Sequence, residues 1–202
     1  MNTIILCVLL YAGVSINMSI TMMGPFFPKM LINVGLDQFY NGLIFAIIAF
    51  PYFLTPCFVG GILLPKYGRP HTFLMGSALI SISMFAFGAL AFITNQEVFL
   101  GLAIISRIGA SFGNTMAIGA SFAMVSVQFP HKVGKYTALF SAALCIGLSI
   151  APFIGGLMFD LFGESGPFFF VGFATLLQAL LVLLYYKEPS HLISTPQLTA
   201  HS

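Results

Sequence analysis

Gly60-Gly61-Ile62-Leu63-Leu64-Pro65-Lys66-Tyr67-Gly68-Arg69 lies between two long apolar runs. It reads as a short, basic, glycine-flanked hinge. The frame returns later in the chain. Gly60-Gly61 is followed by six residues and Gly68, and Gly155-Gly156 by six residues and Gly163. A proline precedes each pair, Pro56 and Pro152. The echo suggests one unit of chain used twice.

Composition says what surrounds the hinge. The 202 residues are 59% hydrophobic and 6% charged, and the mean hydropathy is +1.03. Soluble domains carry about 25% charged residues. So few charges cannot cover a water-facing surface, and the chain reads as a membrane protein. Its apolar runs are continuous, without the in/out alternation of a barrel, so helices are expected. A net charge of +2 gives no footing for nucleic acid. Cys7, Cys57 and Cys145 fall inside apolar runs, at spacings that suit neither a disulfide framework nor a metal site. No nucleophile–base set or phosphate loop is present, so no enzyme activity, cofactor or metal is expected.

Six spans follow, at about residues 3–23, 42–64, 72–93, 98–125, 136–159 and 166–186. The first ends at Gly24-Pro25-Phe26-Phe27-Pro28-Lys29, where two prolines are expected to break the helix. Its long uncharged run does not suit a cleaved signal peptide; an incomplete N-terminus suits it equally well. Residues 1–188 form the bundle, and 189–202 a polar, disordered tail. Lys66, Arg69, Lys132, Lys135 and Lys187 gather on one side. Lys29 stands alone on the other, among Asp37, Glu97, Asp160 and Glu164. This bias places both termini in the cytoplasm. The two hinges then lie on opposite sides, so the three-helix units are inverted. Inverted repeats nested in a six-helix half mark secondary transporters.

At these residues the chain resembles the N-terminal half of the major facilitator superfamily. That family's loop signature has the form G-x-L-x-D-R-x-G-R-K. Gly61, Leu63, Gly68 and Arg69 match it, as does the later Leu74, and Lys66 stands for Arg. Pro65 replaces the acid and Pro70 a basic residue. The span 5 signature, G-x-x-x-G-P-x-x-G-G, matches Gly147, Pro152, Gly155 and Gly156, with Ala151 for one glycine. Arg107 matches the family's membrane-embedded arginine. The 24–29 run looks most like the vesicular amine and polyamine transporter branch. The resemblance implies an all-α membrane protein, six transmembrane helices forming half of a major facilitator fold. It implies transport of a small organic solute, an organic cation or polyamine exchanged for protons, by alternating access. One bundle cannot rock against itself, so the chain is expected to pair with a second six-helix half or a second copy. The other reading is a truncated, non-transporting protein that binds or regulates a full-length relative through span 5. Vesicular and plasma membranes both suit it.

The candidate residues carry two readings each. Arg107 lies about ten residues into span 4, where a cation costs ~3 kcal/mol or more unless it meets a cavity or partner. It lines a solute path or couples protons, or else it bonds backbone carbonyls or snorkels. No acid lies at membrane depth to pair with it. Ser15, Asn17 and Thr21 on span 1, and Asn114 on span 4, line the path or bond between helices. Gly61, Lys66, Gly68 and Arg69 form a gating latch or simply enforce orientation. Ala143, Gly147, Ala151 and Gly155 make one groove of small residues along span 5, beside Pro152 and Gly156. In the family that face packs on the missing half; packing within this chain is the alternative. Gly109 and Gly113 make a second close-packing pair.

Overall fold

The computed structural model describes residues 2–47 and 49–186. The elements are α1 (Asn2–Thr21), α2 (Met23–Asn33), α3 (Phe39–Ile47), α4 (Ala49–Phe58), a π-helical turn (Val59–Leu63) and α5 (Leu64–Tyr67). Then come α6 (Arg69–Ala89), α7 (Gln96–Gln128), α8 (Val133–Phe162) and α9 (Gly166–Tyr185). Among the described residues there is no strand. The helices join into six spans long and apolar enough to cross a membrane: Thr3–Asn33, Phe39–Tyr67, Arg69–Phe92, Gln96–Gln128, Pro130–Phe162 and Gly166–Tyr185. The tail expected at 189–202, with Lys187, lies outside the described residues.

Two sequence expectations need correction. The first span does not break at its prolines but runs on to Asn33. Only Met22 leaves the helical register, and its N–H still reaches the Met18 carbonyl at 3.0 Å. Pro25 then falls in the first turn of α2, where backbone N–H groups need no helical acceptor. Pro28 follows inside α2, facing Gly24, the smallest residue, one turn back. The second correction concerns the hinge. Residues 60–67 are helical, and the chain turns only at Gly68. Pro65 has no N–H to give to the turn before it. The helix widens there instead, with Leu64 N–H bonded to the Val59 carbonyl. The echo survives at the true turns. Gly68 has φ 78° and ψ 166°, and Gly163 has φ 74° and ψ −161°. Both values lie in a region essentially reserved for glycine.

Close backbone approach holds the bundle. A Cβ on Gly76 would lie 2.7 Å from the Gly113 carbonyl, and one on Gly113 would lie 2.7 Å from the Gly76 carbonyl. So α6 and α7 cross backbone to backbone. A Cβ on Gly109 would meet Ser83 Oγ. The small face of α8 receives α1. Gly147 leaves no room for a Cβ beside the Val14 carbonyl, and Gly155 none beside Met22 and Phe26. Ala151 is fully buried and Ala143 nearly so. That groove is therefore filled from within the chain, and it offers no free docking face for a relative. Gly156 and Pro152 sit off this face, with nothing near a Cβ on Gly156 and Pro152 exposed. Ser81 and Thr175 hydroxyls meet at 2.7 Å, and Gln178 donates to Ser77 Oγ at 3.1 Å, tying α6 to α9. Spans 2 and 5 stand apart. Only 27% and 22% of their apolar windows are buried, against 33% for span 6 and 56%, 56% and 50% for spans 1, 3 and 4.

Candidate functional site

The first, second and fourth spans meet around Arg107. Its side chain is 3% exposed, although α7 carries it well inside the span. Nη1 donates to Met23 Sδ of α2. The guanidinium carbon lies 4.8 Å from the centre of the Phe45 ring on α3. Both partners are soft and uncharged: a thioether accepts weakly, and a ring face attracts a cation through its quadrupole. Nε has no hydrogen-bond partner. The cation is thus held, but not neutralised, by the described residues.

The second span supplies two more uncommitted groups. The Tyr52 hydroxyl lies within electrostatic reach of Arg107 and is buried without a partner. Thr55 is 1% exposed, and its hydroxyl is unpartnered as well. Helical spacing explains their company. Phe45, Tyr52, Thr55 and Val59 lie at i, i+7, i+10 and i+14, one stripe of the helix facing α7. Farther along the same seam is a cavity of about 340 Å³, lined by Pro56, Val59, Gly60, Leu64, Thr115, Ile118 and Gly119. The π turn forms part of its wall.

The other candidates of spans 1 and 4 make hydrogen bonds within or between helices. Ser15 Oγ donates to the Tyr11 carbonyl and Thr21 Oγ1 to the Asn17 carbonyl, both within α1. Asn17 Nδ2 crosses to the Leu144 carbonyl of α8 at 2.9 Å. Asn114 Oδ1 accepts from Ser19 Oγ at 2.9 Å, joining α7 to α1. None of these four hydrogen bonds involves Arg107. The latch candidates are also distant from it, at the basic end of the second span. Gly61 and Lys66 are exposed there, Lys66 with its ammonium 5.3 Å from the Tyr67 ring. Gly68 makes the turn, and Arg69, half-buried, begins α6. Tyr52, Thr55 and Phe45 were not singled out from sequence. The stripe of span 2 was the available signal.

The model of the Major Facilitator Superfamily matches residues 9–200. The chain belongs to this superfamily. Among its relatives, the multi-drug resistance efflux pump PmrA of Streptococcus pneumoniae is 31% identical over 176 residues, 84% of this chain and 42% of that protein. The MFS-type transporter SLC18B1 of Mus musculus is 29% identical over 86% of this chain and 37% of its own length. The MFS-type transporter MJ1560 of Methanocaldococcus jannaschii is 30% identical over 77% and 39%. The chain thus spans less than half the length of these superfamily members. Its six spans make it a multi-pass member of a family of membrane transporters.

Proposed function

We propose that this chain forms one half of a transport pathway for a small organic solute, worked by alternating access between two six-helix bundles. The solute class we propose is an organic cation or polyamine. One observation carries the reading: the Arg107 seam buries a cation and two hydroxyls whose hydrogen-bonding capacity is unspent. Intramembrane ionisable groups of this kind mark solute and ion pathways. Superfamily membership supports transport, and a relative named as a multi-drug efflux pump supports an organic solute.

A cationic solute needs a counter-charge. Every acid in the described spans lies near a span end. We therefore place the acid on the second bundle, another half or a second copy, where it also neutralises Arg107. Asn17 and Asn114 keep α1 in place beside the pathway. Lys66, Gly68 and Arg69, with Gly61, form the cytoplasmic gate region, with Pro65 where an acid would extend the charge network. The basic end faces the cytoplasm, and both termini with it.

The test is uptake of radiolabelled spermidine into proteoliposomes holding the chain alone, or two copies fused in tandem. Uptake above empty vesicles is expected from the tandem form, with Arg107→Ala lowering it by roughly tenfold or more. Absence of uptake from both forms, with tetraethylammonium also excluded, would sink the proposal.

A further inference from the structure

Among the described residues, Arg107 is the one buried charge. We infer that its seam is an anion site, in which a single chloride ion sits between the Arg107 Nε–H and the hydroxyls of Tyr52 and Thr55. The site belongs to the same seam as the proposed solute path and rests on that reading for its exchange with the cytoplasm. Its readout is binding rather than uptake, so the two fail separately.

The donors are in place. Arg107 Nη1 is committed to Met23 Sδ, and the guanidinium lies over the Phe45 ring. The Nε–H is buried and has no partner. Across the seam, Tyr52 and Thr55 are three positions apart, so they share one face of the second span. Both hydroxyls are buried and unpartnered, and each can donate. An unmet buried donor is costly, and so is an unpaired buried charge. One anion answers both demands. A water molecule satisfies the hydroxyls but leaves the charge.

No acid among the described residues supplies that charge. The second span contains none in its sequence. Glu97, on α7 itself, is exposed nearly three turns before Arg107, about 15 Å away along the axis. Asp37 is exposed in the loop before α3, where it accepts from the Phe39 N–H at 2.9 Å. Asp160 is exposed at the end of α8, and Glu164 accepts from Asn33.

Size and valence select the ion. At 3% exposure, Arg107 is closed to a bulky organic acid. It brings one positive charge, so a divalent phosphate or sulfate would leave a net charge in the bilayer, again at a cost. The seam leads toward solution. Thr55 adjoins Pro56, which with Val59, Gly60 and Leu64 lines the 340 Å³ cavity. On α7 the cavity wall begins at Thr115, roughly two turns or about 12 Å past Arg107. It lies toward the basic end of the span, where the exposed Lys66 and Lys132 draw anions in.

The test uses the purified single chain in detergent, with gluconate exchanged for chloride at constant ionic strength. At about ten times its dissociation constant, chloride should raise the thermal-unfolding midpoint by about 3–6 °C. Protein-dependent broadening of the chloride NMR line should saturate over the same range. Both effects should vanish in Arg107→Met and persist in Lys132→Met, which removes an exposed cation. Tyr52→Phe and Thr55→Val delete only the hydroxyls, and each should weaken chloride binding about three- to tenfold. These two variants keep the test decisive should Arg107→Met fail to fold. A midpoint indifferent to the exchange, or one that responds alike with and without Arg107, would overturn the inference. So would wild-type affinity in both hydroxyl variants. Chloride binding with no uptake by the single chain or the tandem form would keep the anion site and count against the transport reading. Uptake with no chloride binding would do the reverse.

Discussion

Arg107 shows how much a single residue can say. A cation at this depth costs ~3 kcal/mol or more, and among the described residues it is held by a thioether and a ring. Arg107→Met keeps the bulk and removes the charge. We expect it to raise stability by about 1–3 kcal/mol, since hydrophobic replacement of an ill-compensated buried charge stabilises, while uptake is lost. A thermal-unfolding series in detergent, paired with the uptake assay, reads both. A less stable variant with intact uptake would show the arginine to be structural. Glycines give a second test at this scale. Gly147→Ala drives a methyl group into the Val14 backbone and should cost about 1–3 kcal/mol. Gly156→Ala has open space and should be neutral, or stabilise by up to about 1 kcal/mol through helix propensity. Size-exclusion profiles after graded heating separate the two. Sequence spacing put Arg107 in the membrane and Gly147 on a small-residue face. It could not say which helix fills that face, because α1 lies more than a hundred residues away in the chain.

At the level of elements, the second span shows where sequence reading misses. Glycines and cations suggested a hinge at 60–69, yet only Gly68 turns the chain. Glycine permits a break but does not compel one. In a bilayer an open backbone costs several kcal/mol per unpaired group, so the helix persists and widens into a π turn. The same pressure carried the first span through Pro25 and Pro28. We expect Pro65→Ala, which restores the missing N–H, to let Val59–Leu63 tighten to an α turn. Residues 64–67 would then rotate by about 100° about the helix axis. Spin labels at Lys66 and His131 would report this as a distance change on the order of several Å by pulsed EPR. An unchanged distance would mean that the π turn is set by packing on α7 rather than by the proline. The stripe Phe45–Tyr52–Thr55 was legible in principle from helical period alone. It was obscured because tyrosine and threonine are ordinary in membrane helices until a buried arginine is found opposite.

For the molecule as a whole, the asymmetry of burial matters most. The acid-bearing end is tied across helices, by Asn33 to Glu164, by Gln96 to the Val34 carbonyl at 3.0 Å, and by the Phe27–Phe87–Phe168 ring contacts with Phe99. Spans 2 and 5 remain mostly uncovered. Composition and charge made six spans readable, since each is long and apolar. Which of them would be peripheral was not readable, because a lipid-facing and a partner-facing leucine look alike in sequence. If a second bundle completes the pathway, these two spans are where it should lie, and the native cysteines can report it. Cys57 is on α4 and Cys145 on α8, while Cys7 is on α1; all three are exposed. We expect a membrane-permeant maleimide to label all three in the dilute single chain. In the tandem form, labelling of Cys57 and Cys145 should fall by roughly tenfold, as burial of a thiol removes access to its reactive thiolate, while Cys7 stays reactive. Mass spectrometry of the labelled peptides reads each site separately. Equal labelling of the three in the tandem form would place the second bundle elsewhere, and the Arg107 seam would then open to lipid instead of to a shared solute path.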